Sequence, residues 1–298
     1  MHLWKDVFPA VTTQFHQDQS LDLAGTAKHL EVMIDSGVAG IIMCGSLGEN
    51  QQLTPEEKRK VITLTKQVAK GRVPVLSGVA EMSTAAACEY VADCEQLGAD
   101  GFMVMPAMVY KADGAEAMNH FRRVAAATSK PWMLYNNPVG YTVDISASQF
   151  AELSNIKNLI AIKESSANTR RITELRIEVG DRYALFTGVD DLILQSSALG
   201  IDGWVAGSGI AFPYENQYFW NMIQAGKWDE AREFYKWFYP LLKLDTYLKF
   251  VQYIKLAVQE AGLGTEWVRE PRLPLSGEER TRVLKVIHQG IATRPKLR

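Results

Sequence analysis

The chain has 298 residues, 47% of them hydrophobic, with a formal net charge of −2, which is enough apolar material for one large α/β domain or two smaller ones. The near-neutral balance speaks against nucleic acid or an anionic membrane surface as a partner, and no apolar run approaches the length needed to cross a bilayer. Cys44, Cys88 and Cys94 make no disulfide framework in a chain of this size; together with a start, MHLWKDVFPAVTTQF, that lacks the charged-then-apolar layout of a signal peptide, they lead us to expect a cytoplasmic protein.

Taken in chain order, short apolar runs alternate with segments of helical spacing. The runs cover 8–15, 40–45, 73–79, 101–106, 131–137, 159–165, 183–188 and 203–207. Each is too short for a helix, and most are bounded by Gly, Pro or Asn. After the first run, Leu23, Ala27, Leu30 and Ile34 recur every three to four residues before Gly37, a helix with a glycine at its C-cap. After the second, Thr54, Pro55 and two acids open a helix that closes on Gly71. The segments STAAACEYVADCEQLG and GAEAMNHFRRVAAATS repeat the scheme. Eight strand–helix alternations predict an α/β fold, a (β/α)8 TIM barrel, over 1–226. A doubly wound open sheet is second, since no GxGxxG follows the first strand. Beyond 226 the strands stop, and three amphipathic, aromatic-rich segments predict a C-terminal three-helix extension over 227–298, packed on the barrel or used for subunit contact.

In such a barrel the reactive groups stand at the C-terminal strand ends. The run LIAIKES ends in an ammonium group. Side chains alternate along a strand, so Lys163 shares a face with Ala161 and Ser165, and an interior Ala161 places Lys163 inside as well. Apolar walls lower the pKa of a lysine, and a neutral amine attacks a ketone to form a Schiff base. A structural ion pair is the competing reading. Tyr135, at the end of the adjacent strand, can shuttle protons on the carbinolamine, unless it is only a core aromatic. In GSLGE, Gly45 and Gly48 permit a tight turn with N–H groups aimed into the site, and Ser46 adds a hydroxyl, so the turn can hold a carboxylate. Gly207-Ser208-Gly209 makes either a phosphate nest or a turn over that site, the latter preferred. His2, His16, His29, His120 and His288 show no metal-ligand spacing. Cys44 reads as a small buried residue rather than a nucleophile.

Together, CGSLGEN, YNNP, IAIKESS and TGVDD resemble the turn, tyrosine strand, lysine strand and S-G-D-D turn of the dihydrodipicolinate synthase and N-acetylneuraminate lyase family of Schiff-base barrels. The resemblance covers the whole chain. It implies an imine between Lys163 and C2 of a 2-keto acid, proton transfer by Tyr135, and carboxylate binding by Ser46, Gly45 and the N–H of Leu47. Gly188 and Val205 would line the substrate, with Tyr110 and Gly207 nearby. It implies no metal or organic cofactor, a small-molecule partner only, and a homotetramer.

Three positions depart from the synthase pattern. Leu47 stands where a second turn threonine is usual. Ala107 and Met108 replace a tyrosine pair lent across a dimer, with Tyr110 displaced. Gly140 replaces the arginine that grips a second carboxylate. GSLGEN with YNNPVGYTVDIS is similar to the pyrroline-4-hydroxy-2-carboxylate deaminases, which implies dehydration and hydrolysis of that cyclic imine to ammonia and 2-oxoglutarate semialdehyde. A 2-keto-3-deoxy sugar-acid dehydratase or aldolase, a 4-hydroxy-tetrahydrodipicolinate synthase, and an inactive barrel used for ligand binding are the alternatives. Trp204 is expected to narrow the pocket beside the carboxylate site.

Overall fold

The computed structural model describes residues 2–297. Eight strands, β1 (Asp6–Val7), β2 (Ile41–Met43), β3 (Val75–Val79), β4 (Gly101–Val104), β5 (Trp132–Asn136), β6 (Leu159–Glu164), β7 (Ala184–Thr187) and β8 (Gly203–Trp204), form one sheet in the order β1-β8-β7-β6-β5-β4-β3-β2, every pairing parallel. Its two ends meet through a parallel bridge between Ala10 and Ile42, which closes the sheet into a (β/α)8 barrel and removes its edges.

The first strand lies further N-terminal than the predicted 8–15. Pro9 has no N–H, and the backbone from Phe8 to Val11 divides its bonds between two neighbours. Phe8 and Ala10 donate to Trp204 and Ala206 (both 2.8 Å), whereas Val11 donates to Ile42 (2.9 Å) and Ile42 to Pro9 (2.9 Å). From Thr12 the chain turns away, and Gln14 N donates to Thr26 Oγ1 (3.1 Å).

Between the strands lie α1 (Leu23–Asp35), α2 (Pro55–Ala69), α3 (Thr84–Gln96), α4 (Gly114–Ala126), the short α5 (Pro138–Tyr141) and α6 (Ala147–Glu152), α7 (Arg170–Val179), α8 (Ile193–Ala198) and, after β8, α9 (Pro213–Gln224). Local chemistry starts them. Thr54 and Glu57 cap α2 reciprocally, with Pro55 at its first position, and Asp113 and Glu116 do the same for α4. The tail holds α10 (Trp228–Leu242), α11 (Phe250–Glu260) and α12 (Gly277–Ala292). Phe234 and Phe238 of α10 pack on Phe219 of α9 with ring centroids 5.6 and 6.1 Å away, so this face of the tail is core.

Strand alternation sorts side chains into two layers. Phe8, Ile42, Leu76, Met103, Met133, Ala161, Ala184, Phe186 and Val205 fill the barrel interior. Their neighbours Ile41, Val75, Phe102, Leu134, Ile162, Leu185 and Trp204 pack outward against the helices.

Candidate active site

β6 carries Ala161 into the interior layer and Ile162 into the outer one, so Lys163 points inward at the C-terminal end of the barrel, 6% exposed. In the sheet register it stands between Tyr135 on β5 and Phe186 on β7. Its ammonium lies 3.8 Å from the centroid of the Tyr135 ring. Burial lowers its pKa to about 8, against the opposing pull of the Asp245 and Asp190 carboxylates. Glu164, on the other face, accepts bonds from Asn136 Nδ2 (3.0 Å) and Ser166 N (2.7 Å) and belongs to the outer scaffold.

The Tyr135 hydroxyl accepts from Asn137 Nδ2 at 2.9 Å, and burial holds its proton well above the usual phenol range. The turn after β2 is a strained loop. Cys44 and Glu49 both occupy the left-handed region, at φ 54 and 56. Thr13 Oγ1 donates to Gly48 O (2.8 Å) and Asn50 Nδ2 to Cys44 O (2.8 Å). Glu49 is fully buried and paired with the equally buried Lys255 of α11 at 2.9 Å; Lys255 also donates to Thr13 O (2.8 Å). The tail therefore clamps the turn. Glu49 and Asn50 donate backward to Ser46 O and Gly45 O, whereas the N–H groups of Ser46 and Leu47 take no part in these turn bonds and can meet a carboxylate. The Leu47 side chain packs in the outer core.

Gly188, at the end of β7, is where Lys163 needs space. A Cβ there would lie 2.2 Å from both Lys163 Cε and Ser165 Oγ. Val205 lines the interior, 1% exposed. Two expected residues stand elsewhere. Tyr110 lies on the loop after β4, 62% exposed, with its hydroxyl on Glu116 (3.1 Å). Trp204 packs in the outer layer and donates its indole N–H to Asp190 Oδ1 (2.9 Å), so it does not narrow the pocket; one residue of strand alternation separates it from Val205. Nor is the glycine turn after β8 an open phosphate nest. The N–H groups of Gly207 and Ser208 are taken by the chain's own anion, Asp190 Oδ2, the former at 3.1 Å. Burial raises the Asp190 carboxyl to about 6. Cys44 is fully buried and its thiol is pushed up to about 12, which makes it no nucleophile.

Sequence reasoning missed three groups. Tyr141 ends the one-turn helix α5. Asn137 accepts from Gly140 N (2.9 Å), and Pro138 starts the turn, which folds Tyr141 back so that its hydroxyl bonds Ser46 Oγ and its ring meets Tyr135 edge-on at 5.7 Å. The Asn-Pro pair is the local signal for that turn. Asp245, on the 3-10 turn Lys243–Thr246 after α10, reaches the mouth of the barrel with no local sequence signal. Burial holds the Tyr141 phenol well above its usual range; Arg272, also from the tail, lies close enough to oppose that rise slightly, although its guanidinium is engaged by Gln52 and lies 3.9 Å from Glu49.

Among the described residues, no helix is long and apolar enough to cross a membrane, and no group of three or more His, Cys, Asp or Glu side chains could hold a metal ion.

The description "Dihydrodipicolinate synthetase family" matches residues 3–290. The 4-hydroxy-tetrahydrodipicolinate synthase of Methanothrix thermoacetophila is 29% identical, over 96% of each chain. The crystal structure of a dihydrodipicolinate synthase from Bacillus anthracis superposes with a TM-score of 0.92 at 29% identity, covering 99% of this chain and 100% of that one. A prophage protein of the dihydrodipicolinic acid synthase family from E. coli K12, solved in complex with pyruvate, superposes at 0.89 with 26% identity, covering 97% and 99%. With the match spanning nearly the full length and a lysine at the strand end, the chain belongs to the dihydrodipicolinate synthetase family and is a lysine Schiff-base lyase.

Proposed function

We propose that Lys163 is the imine-forming residue and that the substrate is a 2-keto acid or its cyclic imine. The observation that carries this reading is a buried amine, lowered to about 8, at a strand end over the face of Tyr135. The Ser46 hydroxyl and the N–H groups of Gly45, Ser46 and Leu47 hold the carboxylate. Tyr135, Tyr141 and Ser46 form a hydroxyl relay that moves protons on the carbinolamine. Gly188 leaves room for the tetrahedral carbinolamine formed when Lys163 adds to the substrate's C2, and Val205 supplies an apolar wall. In this reading residues 1–226 are the barrel and 227–298 a helical extension packed on it. The protein works in the cytoplasm without metal or organic cofactor. It assembles as a homotetramer through surfaces such as the loop carrying Val109 and Tyr110, which are 92% and 62% exposed.

For the substrate, the names of the relatives and the residues of the site point in different directions. The relatives' names favour 4-hydroxy-tetrahydrodipicolinate synthase, which condenses pyruvate with aspartate semialdehyde, and on that comparison it is the better supported reading. The site favours a hydroxylated cyclic imine, pyrroline-4-hydroxy-2-carboxylate, deaminated to 2-oxoglutarate semialdehyde. Gly140 offers no cation, Arg272 is engaged elsewhere, and the Asp190 carboxylate adds negative charge near the lysine. A second carboxylate left without a partner there costs roughly 1–3 kcal/mol. Two mixtures decide it: enzyme with pyruvate and aspartate semialdehyde, and enzyme with pyrroline-4-hydroxy-2-carboxylate. Ammonia and semialdehyde release in the second, with weak condensation in the first, is the expected result. Efficient condensation with no deamination makes the protein a synthase. Inactivity on both, with turnover of a 2-keto-3-deoxy sugar acid, moves it to the sugar-acid enzymes.

A further inference from the structure

The tail does more than cover the barrel. Its turn Lys243–Thr246 packs against the 3-10 turn Asp190–Leu192 after β7 and against the segment Ser208–Ala211 after β8. Ser208 Oγ donates to Leu242 O (3.2 Å), which pins it there. This delivers Asp245 to the reaction chamber. A Cβ on Gly207 would lie 2.7 Å from Asp245 Oδ1 and 3.4 Å from Asp190 Oδ2, so two carboxyl groups converge on one glycine.

The two carboxyls are not equivalent. Asp190 is fully buried and accepts N–H bonds from Trp204, Gly207 and Ser208; its geometry is used up in holding the loop. Asp245 is only partly buried, at the mouth. Nearby, the buried Ser165 Oγ lies on the side of Gly188 and Lys163, within reach of the Tyr135 hydroxyl, and so stands where a substrate hydroxyl beside Lys163 can meet it. With a keto-acid carboxylate at the turn after β2 and C2 on Lys163 of β6, the rest of the substrate is flanked by the ends of β7 and β8, where Asp245 stands.

Resting on the deaminase reading above, we propose that Asp245 is a catalytic acid that protonates the hydroxyl lost from C4 of the imine-bound substrate, with Ser165 holding that hydroxyl in place. Lys163 adds to C2 and the ring C2–N bond opens, leaving an amine on C5. The C3 proton departs through the hydroxyl relay, giving an enamine. The enamine pair then forms the C3–C4 double bond as the C4–O bond breaks; the oxygen keeps the C4–O bonding pair, takes the Asp245 proton and leaves as water. Tautomerisation moves the unsaturation to C5, and water hydrolyses the C5 imine to release ammonia and the C2 imine to free Lys163. Asp245 remains as a carboxylate and regains a proton from solvent. No oxidant or reductant is consumed. The groups facing Asp245 are Lys163, Asp190, Asp191, Tyr135 and Tyr141. Burial and the neighbouring Asp190 charge raise the Asp245 carboxyl well above its ordinary value, against the pull of Lys163, so the group keeps a proton to give.

The test compares the full-length wild type with Asp245→Asn and Asp245→Glu in two assays. One follows deuterium exchange into the methyl group of pyruvate, which needs only imine and enamine. The other follows ammonia release from pyrroline-4-hydroxy-2-carboxylate. Asp245→Asn is expected to lose about 100-fold or more in kcat for ammonia release, within the range for a general acid, while exchange changes far less. Asp245→Glu recovers part of the loss, and the high-pH fall of the wild-type profile disappears in Asp245→Asn. Deamination by Asp245→Asn at the wild-type rate, or an equal loss in both assays, overturns the acid role. A wild type that exchanges pyruvate but never releases ammonia overturns the deaminase reading and this step together, whereas an active wild type with an unaffected variant removes this step alone.

Discussion

The Lys163 ammonium and the Tyr135 ring face each other at 3.8 Å from nitrogen to centroid, and the two residues are direct register partners on adjacent strands. The amine thus sits on the aromatic face, with no carboxylate oxygen within 4.0 Å to fix its charge among the ion pairs of the described residues. That arrangement keeps a lysine poised to lose its proton while the phenol above it stays protonated.

The first consequence is a pH dependence. Burial lowers Lys163 from 10.5 to about 8, and only the neutral amine adds to a carbonyl. The rate of imine formation with pyruvate should rise as pH increases through about 8 and level off above it. Rapid quenching with borohydride at a series of pH values measures this. A rate still climbing toward pH 10 would show an ordinary solvated lysine.

Replacing Tyr135 by Phe keeps the ring under the amine and removes only the hydroxyl that Asn137 contacts. We expect kcat to fall by about 10²–10³, as for loss of a proton-transfer group, with the Lys163 adduct still forming on long incubation. Steady-state kinetics beside slow trapping checks it. An unchanged kcat would remove Tyr135 from the relay.

Gly188→Ala places a methyl group 2.2 Å from Lys163 Cε and Ser165 Oγ, a separation that forces the lysine to move. Because backbone and core are otherwise untouched, the variant should fold, with the same circular dichroism, while its trapping rate with pyruvate falls at least about tenfold, a rise of ~1.4 kcal/mol in the barrier. Trapping at the wild-type rate would mean that Lys163 has another route into the site.

Much of this site could be read from the chain because β-strands alternate. Alternation ties Lys163 to the side taken by Ala161, and the structure puts Ala161 in the interior layer. The same rule, applied to Trp204, sends it outward with Ile162, which is why it does not narrow the pocket beside the carboxylate site. Asp190 lay in a quoted turn, but nothing local shows that its carboxylate would fill the glycine nest after β8. Asp245 and Lys255 were illegible for a stronger reason. Each acts on residues far away in sequence, Asp245 beside Gly207 and Lys255 on Glu49, and only the docking of the tail brings them together.

The Lys255–Glu49 pair holds the carboxylate-binding turn from beneath, with both side chains fully buried. Removing Lys255 leaves the buried Glu49 carboxylate with only Arg272 at 3.9 Å and the Arg269 N–H as partners, so the cost should fall below the about 3–5 kcal/mol of a wholly unpaired buried charge. Lys255→Met should lower the urea midpoint accordingly. The double variant Lys255→Met with Glu49→Gln should regain a good part of the loss, since neither charge then remains buried alone. Additive losses would show that the two side chains contribute independently.

The most direct measurement is peptide mass spectrometry after borohydride reduction in the presence of pyruvate, run on the wild type and on Lys163→Ala. The account predicts a reduced pyruvyl group on Lys163 of the wild type, no adduct on the variant, and no turnover by the variant despite an intact fold. An adduct on Lys255 or any other lysine, or none with any 2-keto acid tried, would contradict it.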